Sequence, residues 1–540
     1  MMPQNSNANT YDYVIVGAGS AGCVLANRLS ANPAIRVLLL EAGGNDAHPY
    51  LRVPIGIGML WKHRLFDWGF DSEPDAALHG RQLVLLRGKV LGGSSSVNAM
   101  AFTRGHPANY DHWSRHGAPG WSYAEVLPYF KRVETWEGGE SEWRGGSGPI
   151  GVEFAKSSDP VFGALLAAGK AAGFPSTDDY NGIDAVGFGR SQYSISRGRR
   201  SSAAQGYLRP AMQRHNLTIQ TGALAHRLLL AGHRAQGVEY SHHGSITRAF
   251  AEREVLLCAG AFNTPQILML SGIGPATHLK EAGVVPVMDL PVGANLQDHL
   301  CVQTQWERTT PGIFHATMRL DRAAIGMARS YLLGTGPASI LPAGLHAFLK
   351  TRTELAVPDI EFMFRAASLT AHPWFPVLIP AYQDGYQITA AILRPKSRGE
   401  VRLRSSDPSI PVRIDNRFLS HPADLPKLRE ALRLARKTGM QAPLDEFRAR
   451  EISPGPSVRS DQEIDDWIRN NAQSVMHPVG TCRMGSDETA VVDPQLRVRG
   501  IEGLRVVDAS AMPDIVSAHT NACVLMMAEK ASDMITGKLQ

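Results

Sequence analysis

The sequence predicts an α/β fold in which a Rossmann-like, nucleotide-binding domain is interleaved with an α+β domain on a mixed or antiparallel sheet. Three observations lead there. The N-terminus alternates strand, glycine-rich turn, helix and strand; the run Glu254–Cys258 reads as a further buried strand; and the stretch 390–404 has the half-exposed alternation of an antiparallel hairpin. Parallel α/β character at both ends, with a different sheet between them, implies a discontinuous first domain. It is placed at 1–154, 216–309 and 461–540, with the second domain at 155–215 and 310–460.

Taken in order, Tyr11–Val16 is a short strand and Gly17–Ser30 opens a helix whose inner face carries Ala, Leu and Val. Ile35–Leu40 is continuously apolar, as a strand covered on both faces should be. Glycine (52) and proline (34) are spread along the chain, which implies many short elements; 138–149 is the clearest loop. The 540 residues carry three or four domains' worth of mass at about 150 residues each.

Composition excludes several classes. With 44% apolar and 19% charged residues the chain can bury a large core, so disorder is excluded as its main state. The net charge of +5 is small and its basic residues are scattered, unlike the stripe of a nucleic-acid binder. Cys23, Cys258, Cys301, Cys482 and Cys523 form no C-x-x-C pair, which argues against a disulfide framework or a cysteine zinc site. Isolated thiols fit the reducing cytoplasm. The first ten residues lack the basic start and apolar middle of a signal peptide. The most apolar stretch, 323–349, is broken by Arg329, two prolines and four glycines. It reads as a buried or lip-forming segment, with a peripheral membrane contact as the alternative and no transmembrane span.

Residues 17–22, GAGSAG, follow the first strand directly. Gly17 allows a tight turn, Gly19 lets the backbone approach a pyrophosphate, and Gly22 lets helix and strand pack closely. The helix N-terminus offers free N–H groups to phosphate. Glu41 ends the second strand, 24 positions after Gly17, where a carboxylate can accept from ribose hydroxyls. A turn that simply needs small residues is the alternative; strand, glycines, helix, strand and acid falling in order favour a nucleotide. FAD and NAD remain open at this point, because both carry an adenosine diphosphate half.

Further blocks narrow the choice: RGKVLGGSSSVNAM (87–100), GAFNTPQILMLSGIG (260–274), PVGANLQDH (291–299), RPKSRG (394–399), HPVGTCRMG (477–485) and VVDASAMP (506–513). Together they resemble the signature segments of the glucose–methanol–choline (GMC) oxidoreductase family, from about residue 11 to 537, and most of all its choline-dehydrogenase-like alcohol dehydrogenases. The resemblance implies FAD. It places Gly17, Ala18, Gly19, Ser20, Ala21 and Gly22 at the pyrophosphate, and Glu41 with Ala42 at the adenosine ribose. Gly88, Gly92, Gly93 and Ser94 would follow the phosphates and ribityl chain, and Asn98 and Ala99 would face the flavin ring. Ala225 would meet adenine, Asp508 and Ala509 would close over the ribityl chain, and Thr520 and Asn521 would reach the pyrimidine edge. Some members tether FAD through a histidine where this chain has Val97, so a dissociable, non-covalent FAD is expected.

The same resemblance makes His477 and His519, among 19 histidines, the pair over the flavin. Alcohol oxidation removes a hydroxyl proton and a carbon-bound hydride, the latter going to flavin N5. Imidazole titrates near pH 6.5 and can take the proton at neutral pH. His477 is therefore expected to be the general base and His519 to orient the substrate oxygen, with shared or exchanged roles as the alternative. Cys482 reads as packing, Ser94–Ser96 lacks a G-x-S-x-G elbow, and Asp298–His299 reads as a structural dyad at the edge of the site. No metal is expected from the spacing of His, Asp and Glu. Trp306, Phe314, Phe362, Phe364, Trp374 and Phe375 are expected mostly in the core, with some lining an apolar pocket for a primary alcohol.

The expected activity is thus FAD-dependent oxidation of an alcohol to the aldehyde. A quinone- or dye-type acceptor is favoured by the dehydrogenase branch, with O2 as the alternative. A hydroxynitrile lyase of the same family is the first rival, separable by whether an alcohol bleaches the flavin. An NAD dehydrogenase is the second, separable by its absorbance spectrum. A non-enzymatic module is the third, and an intact GAGSAG with both histidines weighs against it.

Overall fold

The computed structural model describes residues 9–539. Its first seven-stranded sheet is built around Thr10–Val16, which pairs in parallel with Val37–Glu41 on one side and Ser245–Leu257 on the other. Leu217–Thr221 and Leu504–Val506 extend the parallel part, and Ala223–Ala231 with Arg234–His242 adds an antiparallel meander at one edge. Val14, Ile15 and Val37–Leu40 are almost wholly buried, because helices cover both faces of the parallel strands. Helix Ser20–Leu29 packs along helix Thr520–Thr536. There the buried carboxylate of Glu529 accepts from Arg28 (2.6 Å) and Tyr207 (2.7 Å), so no charge is left unpaired.

The second seven-stranded sheet is antiparallel throughout. Its order is Arg448–Ser453, Leu300–Arg308, Gly385–Ile392, Ile360–Arg365, Ala343–Leu349 and Gly187–Arg190, with Gln473–Ser474 also paired to the second of these. Period-two alternation splits its side chains. Val302, Trp306, Phe362, Phe364, Tyr386 and Ile388 enter a core that also holds Leu428, Ala431, Leu432 and Ala435 of helix Asp424–Gly439. The other face looks toward the first sheet.

Two sequence expectations change here. The stretch 390–404 is not a hairpin: Gly385–Ile392 is buried along its whole length, and Glu400–Arg402 pairs with Arg413–Asp415 instead. Val401 and Ile414 of that ribbon pack into the core of the first sheet. The proline and glycine of RPKSRG turn the chain out of the second sheet into this separate two-stranded ribbon, which local alternation cannot reveal. Likewise Leu300–Arg308 and Gln473–Ser474, expected with the first domain, pair within the second sheet. No described helix is long and apolar enough to cross a membrane. The 323–349 stretch becomes most of helix Leu320–Leu333, a short 3-10 turn and strand Ala343–Leu349, with Ile325, Leu332 and Leu333 exposed.

Candidate active site

A cavity of about 520 Å³ runs from the glycine turn after the first strand to the inner face of the second sheet. Of the residues expected to hold FAD, Gly17, Gly19, Ser20, Ala21, Glu41, Ala42, Gly88, Gly93, Ser94, Asn98, Ala99, Ala225, Asp508, Ala509, Thr520 and Asn521 line its wall. Ala18, Gly22 and Gly92 do not. Ala18 is buried and donates its N–H to Glu41 (2.9 Å), and Gly92 donates to the Ala18 carbonyl (2.8 Å). These three shape the turn from behind rather than face the cavity.

The nucleotide end fits an extended dinucleotide. Gly19 precedes helix Ser20–Leu29 without a side-chain cap, which leaves first-turn N–H groups free for an anion. A Cβ on Gly22 would sit 1.9 Å from the Gly17 carbonyl oxygen, so only glycine lets the helix start so close to the turn. Gly93, at φ +52°, brings its backbone against Gly19, where a Cβ would lie 2.7 Å from Cα. The Glu41 carboxylate accepts from Ala18 and from Gly43 (2.8 Å); burial pushes its pKa up to about 7 against those amides. Asp508 accepts from the Gly260 amide (2.9 Å), Thr264 (2.6 Å) and Ser510, tying three segments together beneath the cavity. Val97 lies in the wall, and its carbonyl accepts from the Trp61 indole (2.9 Å).

At the other end the rings of His477 and His519 meet with centroids 4.7 Å apart, although 42 positions separate them in sequence. The backbone N–H of His477 donates to Asp298 (2.7 Å), which also accepts from Ser474 (2.5 Å). Burial raises Asp298 to about 6 against these donors. His477 Nδ1 lies 2.9 Å from His299 Nδ1, and His299 Nε2 lies 3.1 Å from the Leu393 carbonyl oxygen. A carbonyl only accepts, so His299 carries its proton on Nε2. Burial holds His299 down at about 4, so it is neutral at pH 7 and its Nδ1 accepts. His477 must then donate from Nδ1, which leaves the lone pair on Nε2. Burial first, then His519, His299 and Arg87, keep His477 well below the ordinary imidazole value. The ring is therefore neutral at pH 7.

His519 precedes helix Thr520–Thr536; its backbone N–H donates to Thr103 (2.7 Å), and its Nε2 lies 2.9 Å from Glu361. Burial alone would raise the Glu361 carboxyl, but His519, His346 and His299 around it hold it below the ordinary range. The ionised carboxylate accepts from Nε2–H, which sets the ring's orientation and leaves Nδ1 for other partners.

Sequence reasoning missed part of this arrangement. Asp298–His299, expected at the edge, supports His477 directly. Glu361, His346, Thr103 and Arg365 were not foreseen; charged residues at 361 and 365 of the otherwise apolar strand IEFMFR were the available signal. His346, Glu361 and His519 also bring one potential ligand atom each within 4.8 Å, a grouping that sequence spacing did not suggest. At 2.9 Å the Glu361–His519 contact has hydrogen-bond geometry. Cys482 is fully buried, and Ser95 and Ser96 donate to the Gly92 and Leu91 carbonyls, in keeping with structural roles. Trp306, Phe362 and Phe364 lie in the second core, away from the cavity.

The GMC oxidoreductase family profile matches residues 11–301 with its N-terminal part and 395–528 with its C-terminal part. The oxygen-dependent choline dehydrogenase of Brucella suis biovar 1 is 44% identical over 531 residues, spanning 98% of this chain and 96% of that protein. Its Rhizobium etli counterpart is 42% identical over 530 residues, with the same coverage. Among solved structures, pyridoxine 4-oxidase from Mesorbium loti superposes with a TM-score of 0.88 at 33% identity, covering 98% of this chain and 100% of that one. A formate oxidase superposes with a TM-score of 0.89 at 28% identity, covering 98% of each chain. The glycine-lined cavity, the facing imidazoles and these end-to-end similarities agree: the chain belongs to the GMC oxidoreductase family and is an FAD-dependent oxidoreductase acting on CH–OH groups.

Proposed function

We propose that the protein oxidises a primary alcohol to its aldehyde, with His477 Nε2 taking the hydroxyl proton and His519 orienting the same oxygen. The observation that carries this reading is the meeting of the two rings at the inner end of the cavity, with His477 held as a neutral Nε2 base. FAD would lie with its diphosphate at Gly17–Ala21 and Gly93, its ribose at Glu41, and its ring toward Asn98, Ala99 and His477. Bound FAD supplies the two-electron oxidant that accepts the carbon-bound hydride. The chain's own residues hold the alcohol, take its proton and set its orientation. A general base in such a position contributes about 10²–10⁴-fold in rate.

Val97 presents only an aliphatic group, which supports a non-covalent cofactor. Denaturation should release all yellow colour into a small-molecule filtrate; colour kept on the protein would contradict this. Five buried free thiols support a reducing, cytoplasmic location. The test of the activity is anaerobic: a primary alcohol should bleach the bound flavin. Cleavage of a cyanohydrin with the flavin spectrum unchanged would establish the lyase reading instead. Rates of reoxidation by O2 and by an artificial dye then assign the electron acceptor.

A further inference from the structure

The second sheet decides what the substrate meets beyond the two imidazoles. Its cavity-facing rows place Gln303 beside Thr389 and Thr389 beside Met363, while Cys301 lies one row away, across Ala391 from Glu361. Arg365 follows Met363 on the same face, four residues past Glu361. At about 3.4 Å per residue, the Cα atoms of Glu361 and Arg365 stand ~14 Å apart along the strand. Glu361 holds His519, and Arg365 enters the cavity wall further along the same strand face, within electrostatic reach of His346 and Cys301.

Arg365, half-buried on the cavity wall, is unlike the enclosed arginines. Arg308 pairs with Asp159 at 2.8 Å, Arg144 with Glu134 at 2.8 Å, and Arg200 donates to the Asn98 carbonyl at 2.7 Å. Among the described residues nothing accepts a hydrogen bond from the Arg365 guanidinium and no carboxylate pairs with it. Burial pulls its pKa down. The groups that offset this are Tyr193 and Cys301, both raised by burial to about 12 and therefore uncharged at pH 7. The guanidinium is half-buried and borders the open space of the cavity, where an anionic ligand can supply the acceptor that the protein does not.

The carboxylates that could receive a cation are already committed. Glu41 and Asp508 lie on the wall at the nucleotide end, held by backbone amides and by Thr264 and Ser510. Glu361 is taken up by His519 and does not form part of the wall. A quaternary ammonium group in the catalytic part of the cavity would face Arg365 with no free counter-charge.

We propose that Arg365 is the specificity-determining residue of this site, and that the substrate is an alcohol carrying a carboxylate at the end remote from its hydroxyl. The guanidinium fork matches a carboxylate in two parallel hydrogen bonds. Met363 and Leu369 offer an apolar stretch for the methylenes between. Choline, despite the names of the relatives in sequence, is a poor substrate. The assignment rests on the alcohol-oxidising reading for its chemistry, but not for the binding of the anion.

The test uses the FAD-loaded enzyme in two measurements. In the first, anaerobic flavin reduction is followed with 4-hydroxybutyrate, 5-hydroxypentanoate and 6-hydroxyhexanoate, with the corresponding neutral 1-alkanols, and with choline. At least one hydroxy acid should exceed its neutral counterpart in reduction rate over dissociation constant by about 10–100-fold, the scale of a charge-assisted hydrogen bond. Choline should be the slowest. In Arg365→Met the anionic-to-neutral ratio should fall to near one, and Arg365→Lys should keep part of it. In the second, unreactive pentanoate is titrated while the flavin spectrum is recorded; its affinity should fall about 10–100-fold in Arg365→Met. If no alcohol bleaches the flavin, the oxidation reading fails while the pentanoate titration still decides Arg365. If Arg365→Met does not fold, Arg365→Lys and the wild-type series decide. Choline outpacing the neutral alcohols in the wild type, or unchanged pentanoate affinity in a folded Arg365 variant, overturns the proposal.

Discussion

Replacing His299 by alanine tests the proton arrangement around the base without touching the base. In the structure His299 Nδ1 is the acceptor that keeps the His477 proton on Nδ1, 2.9 Å away, and its own Nε2–H is spoken for by the Leu393 carbonyl. Removing it leaves His477 Nδ1–H buried without a partner. The alternative tautomer, with the proton on Nε2 facing the substrate, then becomes comparably populated and cannot accept a proton. A buried neutral hydrogen bond is worth about 0.5–1.5 kcal/mol, so the competent tautomer should drop from roughly 70–90% to about half, and the rate of flavin reduction should fall by up to about 2-fold. His299 is also one of the groups that lower the His477 pKa, after burial and His519. Its loss should move the acid limb of the pH–rate profile to higher pH, because the base works only when unprotonated. His299→Asn, whose Oδ1 can accept in place of Nδ1, should recover most of the rate. The assay is anaerobic stopped-flow reduction at saturating alcohol across pH 4–9. An unchanged rate with an unmoved limb would refute the tautomer argument. A loss as large as that of the base itself would show that His299, not His477, takes the proton.

Three further outcomes follow from the same geometry. His477→Ala should slow flavin reduction about 10²–10⁴-fold while retaining FAD, since its ring lies at the opposite end of the cavity from the diphosphate cradle; near-normal reduction would remove the assignment. Glu361→Gln should lower stability by about 1–3 kcal/mol at pH 7. The folded pKa of Glu361 lies below its unfolded value, so the stabilisation is present above the unfolded value near 4.3 and is lost as pH falls through the folded one. Melting temperatures of variant and wild type should converge in acid, and a gap independent of pH would contradict the pairing. Gly93→Ala forces an L-residue into φ +52° with its Cβ against Gly19, so FAD titration of the apoprotein should show at least tenfold weaker binding; full retention would mean that the two glycine loops need not touch.

The sequence alone determined the elements whose physics is local. A continuous apolar strand, a glycine turn and an amphipathic helix are each set by neighbours a few residues apart, so the parallel sheet and its nucleotide end were legible at 10–41. His477 and His519 were legible for a different reason: each sits in a motif whose resemblance names it. What only the tertiary structure decided is everything that depends on register between distant strands. The turn at RPKSRG sends 400–402 to another sheet, because pairing energy is gained with 413–415 and not with 390–392. Asp298 and His299 become partners of His477 only when Leu300–Arg308 takes its place beside Gln473–Ser474. Glu361 and Arg365 acquire a site-facing role only because period two puts residues 361, 363 and 365 on one face and Phe362 and Phe364 on the other. Alternation can be read along one strand, but which face is the cavity is fixed by long-range packing, and that information is not local to any segment of the chain.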